Sequence, residues 1–260
     1  MSPEERQWPG DMDDHGFARY AAQAVGIRLL RVRARCVGTD PAKLGAAGDR
    51  EAQALVARLL HEHRPGDAVL SEEAPDDPAR LDADRVWIID PLDGTREFAD
   101  PPRGDWAVQV ALWEKDRLTA GAVALPARPL VLSTGQHPPT SPSQDGLLRM
   151  LVSRTRPPPF AGQLADLLGV QVVPQGSAGA KTADVLLGAA DLYLHAGGQH
   201  EWDSAGPVAL AQAWGFHTSR LDGSPLTYNR PDPLLPDLIV CRTELAPRVL
   251  TACAQISQRG

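Results

Sequence analysis

Cysteine is scarce. Cys36, Cys241 and Cys253 are odd in number, far apart and without C-x-x-C spacing. They read as reduced core residues, which places the chain in the cytoplasm. Long apolar runs are also missing: none approaches the roughly 20 residues that a membrane-spanning helix needs. Residues 1–14 are polar and acidic, unlike a secretory signal. A surplus of positive charge is lacking too. The net charge is −7, which argues against a nucleic-acid polymer as the main partner. An acidic enzyme can still bind phosphates where metals supply the positive charge. Lysine stands only at Lys43, Lys115 and Lys181 among abundant arginine, a bias that resembles coding preference and says little about function.

What is present suffices for a sizeable core. With 260 residues, 43% of them hydrophobic, the chain can build one large domain or two small ones sharing a core. Helical spacing of Phe17, Ala21, Ala24, Ile27 and Leu30 predicts a helix over 17–35. Gly38, Pro41, Gly45 and Gly48 then predict a loop, with Asp49 as N-cap of a second helix whose stripe is Ala52, Leu55, Val56, Leu59 and Leu60. A short strand at 68–70 leads to Ser71-Glu72-Glu73 and a polar loop around Asp76, Asp77 and Pro78. Strands at 106–113, 120–125 and 130–133 suggest an antiparallel meander. Residues 136–145, rich in Pro, Ser and Thr, read as a linker. Beyond it, strands at 148–153, 170–173, 192–195 and 238–241 alternate with helices at 160–168, 179–187 and 203–214 and a last helix from about Glu244. Such alternation argues for a layered α/β arrangement. The expected division is 1–135, an α+β part with an antiparallel sheet and the acidic motifs, and 146–260, an α/β part supplying Asp203.

One stretch organises the rest: Trp87-Ile88-Ile89-Asp90-Pro91-Leu92-Asp93-Gly94-Thr95-Arg96-Glu97-Phe98. Trp87, Ile88 and Ile89 suit a strand buried on both faces. Pro91 has no N–H, so the ladder is expected to end at Asp90. Gly94 allows close approach of the backbone to a ligand, and Thr95 can open a helical turn. Two carboxylates at the mouth of a buried strand, before a helix start, suit a hard divalent cation beside a phosphate. The plain alternative is a turn, since Asp-Pro-x-Asp-Gly consists of turn-favouring residues.

Other carboxylates also sit at element boundaries: Asp49, Glu72 and Asp203. Each has a plain reading. Asp49 and Asp203 could be N-caps, and Glu72 or Glu73 a solvated loop charge. Together, in this order, they favour a metal site over a set of idle charges.

The motifs Ser71-Glu72-Glu73, Asp90-Pro91-Leu92-Asp93-Gly94-Thr95 and Trp202-Asp203-Ser204-Ala205 resemble those of the inositol-monophosphatase-like superfamily of magnesium-dependent, lithium-sensitive phosphatases. Arg96-Glu97-Phe98, Val152-Ser153-Arg154, Gly176-Ser177 with Lys181, and Asp222-Gly223-Ser224-Pro225-Leu226-Thr227-Tyr228 are similar to the CysQ-type 3'(2'),5'-bisphosphate nucleotidases. The resemblance implies a sugar-phosphatase fold, a layered αβαβα sandwich with the metals at the seam of its two parts. It implies that Glu72, Asp90 and the Leu92 carbonyl hold one Mg²⁺, and Asp90, Asp93 and Asp203 a second. A third would lean on Glu72 and, through water, on Asp49. Glu72 and Thr95 would orient the attacking water, supported by Asp49, with no phosphoenzyme.

Substrate contacts implied by the resemblance are Glu72, Leu92, Asp93, Gly94, Thr95 and Asp203 at the reacting phosphate, and Ser177, Lys181 and Arg154 at the second phosphate or ribose. Lys181 also has the plain reading of a solvated helix residue, and Arg154 that of a cap near the linker. His195 and His200 read as walls of the site, because Mg²⁺ prefers oxygen. Trp202 reads as packing beside Asp203. The implied substrate is adenosine 3',5'-bisphosphate, a by-product of sulfate assimilation. Inositol 1-phosphate and fructose 1,6-bisphosphate are the alternatives within the superfamily, and an inactive metal- or nucleotide-binding module is the alternative outside it. The expected state is a monomer or homodimer without nucleic-acid or membrane partners. One departure stands out: Pro41-Ala42-Lys43-Leu44-Gly45-Ala46-Ala47-Gly48-Asp49 lacks the hydroxyl and acidic companions usual before the first acidic residue. The metal count therefore stays open between two and three.

Overall fold

Phe17, Ala21, Val25, Leu29 and Val32 recur every three or four residues and bury one face of α1 (Asp14–Arg35). The computed structural model describes residues 12–136 and 146–258. The acidic stretch before Met12, and the expected linker beyond Gln136, lie outside the described residues. Helix α2 (Pro41–His63) starts nine residues earlier than the sequence suggests. Asp40 is its N-cap, accepting from the N–H groups of Ala42 (3.0 Å) and Lys43 (3.2 Å), and Pro41 occupies the first turn, where a missing N–H costs nothing. The reading of Asp49 as an N-cap is therefore corrected: Asp49 lies inside the helix. The misleading signal was Gly45 and Gly48, which weaken a helix by about 1 kcal/mol each relative to alanine. They are there because α2 presses on the central motif. A Cβ on Gly45 would fall 2.9 Å from the Thr95 methyl, and one on Gly48 2.7 Å from the Phe98 ring.

The first sheet has the order β1-β2-β3-β4-β5, formed by β1 (Ala68–Ser71), β2 (Arg85–Asp93), β3 (Ala107–Glu114), β4 (Arg117–Leu125) and β5 (Leu130–Ser133). β1 pairs parallel with β2, and the remaining pairs are antiparallel. A 3-10 helix (Pro78–Asp82) occupies the expected polar loop. β2 does not stop at Asp90. It continues to Asp93 through an irregularity in which Asp90 pairs with Gln109 and Asp93 with Ala107. Two residues of β2, Pro91 and Leu92, thus face one of β3, a bulge where proline's missing N–H is tolerated. Short α3 (Thr95–Phe98) follows, with Gly94 at φ +88°, a left-handed value that favours glycine.

The second sheet has the order β7-β6-β8-β10-β9. Its strands are β6 (Arg149–Ser153), β7 (Gln171–Gln175), β8 (Leu192–His200), β9 (His217–Ser219) and β10 (Leu234–Cys241). The β6–β7 and β6–β8 pairs are parallel, and β10 pairs antiparallel with β8 and β9. β8 runs five residues beyond the expected His195, and β9 gave no recognisable sequence pattern. The helices are α4 (Ala161–Leu168), α5 (Ala178–Leu186), α6 (Glu201–Ala213) and α7 (Ala246–Ser257). One core cluster joins α1 and α2 to the outer face of the first sheet. A second fills the space between the sheets around α5 and α6. A third places α4 and α7 on the outer face of the second sheet. The layers therefore run αβαβα, as the family resemblance implied. Among the described residues, no helix is long and apolar enough to cross a membrane.

Candidate active site

The bulge in β2 decides the geometry of the site. In an unbroken strand, side chains three residues apart point to opposite faces. The extra residue cancels that alternation, so Asp90 and Asp93, opposite Gln109 and Ala107, share one face. Asp203 reaches them from the first turn of α6. It is not the N-cap of the plain reading; His200 is. The Asp203 carboxylate instead accepts from the His200 N–H at 2.6 Å, closing a capping box. Carboxylate oxygens of Asp90, Asp93 and Asp203 all lie within 4.8 Å of one another.

These three and Glu72 line a cavity of about 270 Å³ together with Leu92, Gly94, Thr95, Arg96, Glu97, Ser153, Arg154, Thr155, Arg156, Gly176, Ser177, Ala178, Lys181, His195 and Gln199. Glu72 is carried to the rim by the end of β1, where its N–H donates to Ile89 O (3.2 Å). Asp49 reaches the same neighbourhood from inside α2: Thr95 Oγ1 donates to Asp49 Oδ1 (3.2 Å) and to the Leu92 carbonyl (3.3 Å).

The donor set suits a hard cation. It is made of oxygen, and its negative charge is poorly compensated. Burial and the Asp203 charge push the Glu72 carboxyl up to about 7. Burial and Asp93 push Asp203 up to about 7. Burial and Glu73 raise Asp49 to about 6. Asp90 is raised well above the usual carboxylate range by burial and by Glu72. A divalent cation would remove this repulsion. Asp93 is also held in aim: its Oδ2 accepts from Gln109 Nε2 (2.5 Å), Ser177 Oγ (2.5 Å) and Gly179 N (2.7 Å), which directs Oδ1 elsewhere. Supporting donors of this kind fix a ligand's orientation.

The cationic side chains divide into held and unpaired. Lys181 is not the solvated helix residue of the plain reading; it is 4% exposed. Its ammonium donates to the carbonyls of Ser177 (2.7 Å) and Gly176 (3.2 Å) and lies 5.0 Å from the Tyr193 ring centre. Burial lowers it to about 8, against the pull of Asp93. Arg154 pairs with Glu97 and lies 3.9 Å from Asp105, so it is not a cap of the linker. Arg96 and Arg156 line the rim, and no ion-pair partner is found for either among the described residues. His195 is a wall of the cavity; burial lowers it to about 4, and its Nε2–H donates to Gly197 O (3.1 Å). His200 turns away to stack on Trp202 at 4.6 Å.

Sequence reasoning missed Gln109, Asp105 and Arg156, and took Glu97 only as part of the Arg96-Glu97-Phe98 resemblance. Gln109 did carry a signal, a polar residue inside the apolar run of β3. The other three acquire meaning only from their spatial neighbours.

A five-layer αβαβα sandwich with an acidic cluster between its sheets defines a class of phosphatase-like proteins, and residues 18–258 match the Inositol monophosphatase family. The chain belongs to that family. It is 54% identical, over 88% of its length and 89% of the relative's, to the Mycobacterium tuberculosis protein named 3'-phosphoadenosine 5'-phosphate phosphatase. The Mycobacterium leprae protein of the same name is 45% identical over 99% of both chains. Among solved structures, CysQ from Bacteroides thetaiotaomicron matches with a TM-score of 0.77 at 26% identity, covering 87% of this chain and 96% of that one. Inositol monophosphatase II from Staphylococcus aureus matches at 0.75 and 22% identity, covering 90% and 93%, a likeness of fold.

Proposed function

We propose that this chain hydrolyses the 3'-phosphate of adenosine 3',5'-bisphosphate to give AMP and phosphate, and so clears a by-product of sulfate assimilation. The observation that carries the reading is the 54% identity, over nearly the whole chain, to a protein named for that activity. The cavity supports it physically, with an acidic floor for cations under one phosphate and arginines on the rim for another. Asp90, Asp93, Asp203, Glu72 and the Leu92 carbonyl would hold two Mg²⁺ between the 1–135 and 146–260 parts, and Asp49 would support a third. When bound, such ions act as Lewis acids and bring the pKa of water toward neutrality.

The chain's own groups do the rest. Glu72 and Thr95 orient the attacking water. Asp49, raised to about 6 and accepting from Thr95 Oγ1, can hold the released proton. Backbone N–H groups of Gly94 and Thr95 meet the phosphate oxygens. Ser177 and Lys181 serve by fixing the 175–179 loop and Asp93, while Arg96, Arg154 and Arg156 give the rim its positive charge toward the second phosphate.

The test is phosphate release, with Mg²⁺, from equal concentrations of adenosine 3',5'-bisphosphate, inositol 1-phosphate and fructose 1,6-bisphosphate. A strong preference for the nucleotide, lost in Asp93→Asn, is expected. Preference for either sugar phosphate would refute the substrate assignment and keep the metal site. Release from none, with nucleotide still bound, would mark an inactive binding module.

A further inference from the structure

The segment Asp222-Gly223-Ser224-Pro225-Leu226-Thr227-Tyr228 has no place in the chemistry above, and neither has Arg80, whose side chain is 1% exposed. The two meet. Arg80 lies in the 3-10 helix that follows Glu72, and its guanidinium makes four hydrogen bonds. Two go to the carboxylate of Asp76 (2.6 and 2.9 Å), four residues after Glu72. Two go to the segment just past Tyr228: to Asn229 Oδ1 (2.7 Å) and Arg230 O (2.9 Å). Asn229 answers with Nδ2 on Arg80 O (3.2 Å).

Residues 228–230 are in turn fastened to the start of α6. Glu201, 1% exposed and two residues before Asp203, accepts from the N–H groups of Asn229 (2.6 Å) and Arg230 (2.8 Å). Tyr228 and Ser204 share a hydrogen bond of 3.1 Å. A continuous polar path thus runs from the Glu72 loop through Asp76, Arg80, Asn229 and Glu201 to the turn that carries Asp203. Two opposite charges buried this deeply are an expensive means of packing, because apolar residues of equal volume often stabilise as well or better. What the network adds is a fixed geometry.

We propose that Arg80, Asn229 and Glu201 are positioning residues: they form a clasp that sets Asp203 against Glu72 and thereby sets the affinity of the acidic cavity for its cation. The proposal rests on the metal-binding part of the reading above and not on the substrate.

Two variants test it. Asn229→Gly keeps the left-handed backbone (φ 59°) and the N–H bond to Glu201 but cuts the side-chain link to Arg80. Arg80→Met removes the guanidinium and keeps the stem. Each is titrated with Mn²⁺ in the absence of substrate, following the paramagnetic resonance of the free ion, and melted in EDTA. The expected result is Mn²⁺ binding weakened by up to about tenfold, because the clasp reaches the ligands only through the backbone, whereas a lost direct partner costs about 10–100-fold. Phosphate release should recover at saturating metal. Unchanged Mn²⁺ affinity, with only a lower melting temperature, would overturn the proposal and leave a merely structural clasp. If Arg80→Met does not fold, Asn229→Gly decides. A wild-type chain that binds no Mn²⁺ would overturn the metal reading and the proposal together, whatever the substrate proves to be.

Discussion

Replacing Asp203 by asparagine should stabilise the metal-free protein while damaging its ability to bind metal. Asparagine keeps the shape and can still accept from the His200 N–H that Asp203 bonds at 2.6 Å. What disappears is a charge that the fold tolerates badly: burial and the Asp93 carboxylate raise Asp203 from 3.8 to about 7. A carboxyl raised in the folded state stabilises fully below its ordinary value, and that contribution is lost as pH rises through about 7. At pH 8 the wild-type chain therefore bears the whole penalty. Three pKa units correspond to a ceiling of about 4 kcal/mol. Water at the cavity mouth screens part of this, leaving ~2 kcal/mol, or ~4–8 °C in melting temperature for a chain of this size. The advantage of Asp203→Asn should shrink toward pH 5 and vanish near pH 4. Millimolar Mg²⁺ should reverse the order, since a ligand at a hundred times its Kd adds about 2.7 kcal/mol to the chain that binds it. Thermal melts in EDTA at pH 5, 6, 7 and 8, repeated with Mg²⁺, measure all of this. A variant no more stable than wild type in EDTA at pH 8 would refute the claim that the carboxylates repel one another across an uncompensated cavity.

Two more changes probe the supports of the site. Gly48→Ala improves helix propensity by about 1 kcal/mol, but its Cβ would meet Phe98 at 2.7 Å and Leu92 at 2.8 Å. We expect a net loss of about 1–2 kcal/mol from overpacking in chemical denaturation, and a stabilised variant would contradict the close contact of α2 with the central motif. Gln109→Leu removes the 2.5 Å bond to Asp93 and, with it, a buried Gln109 Oε1 that has no partner. Stability should change little, because losing an unsatisfied group offsets losing a bond. The Mg²⁺ concentration for half-maximal phosphate release should rise about tenfold, and no rise would show that Ser177 and Gly179 alone hold Asp93.

The acidic residues were legible because their signals are local. Asp90-Pro91-Leu92-Asp93-Gly94-Thr95 combines a buried strand, a left-handed glycine and a helix start within a few residues, and each follows from backbone preference. The strand–helix alternation beyond residue 146 likewise announced the layers, since the period of apolar residues reports which face of an element is buried. The sequence by itself therefore determined most of the elements, though not β9 or the start of α2, their approximate order and the oxygen-rich chemistry of the site.

The tertiary structure decided the rest, because it depends on partners far along the chain. Asp90 and Asp93 share a face only because β3 opposes two β2 residues with one, Val108. Gly45 and Gly48, which read as a loop from propensity alone, are helical because Thr95 and Phe98 lie against them. Lys181, ordinary on a helix of unknown surroundings, is buried by the carbonyls of its own loop and the ring of Tyr193. Arg80 and Asn229 meet across 149 positions of sequence. Local propensity carries no information about such encounters; closing the chain around a common core does.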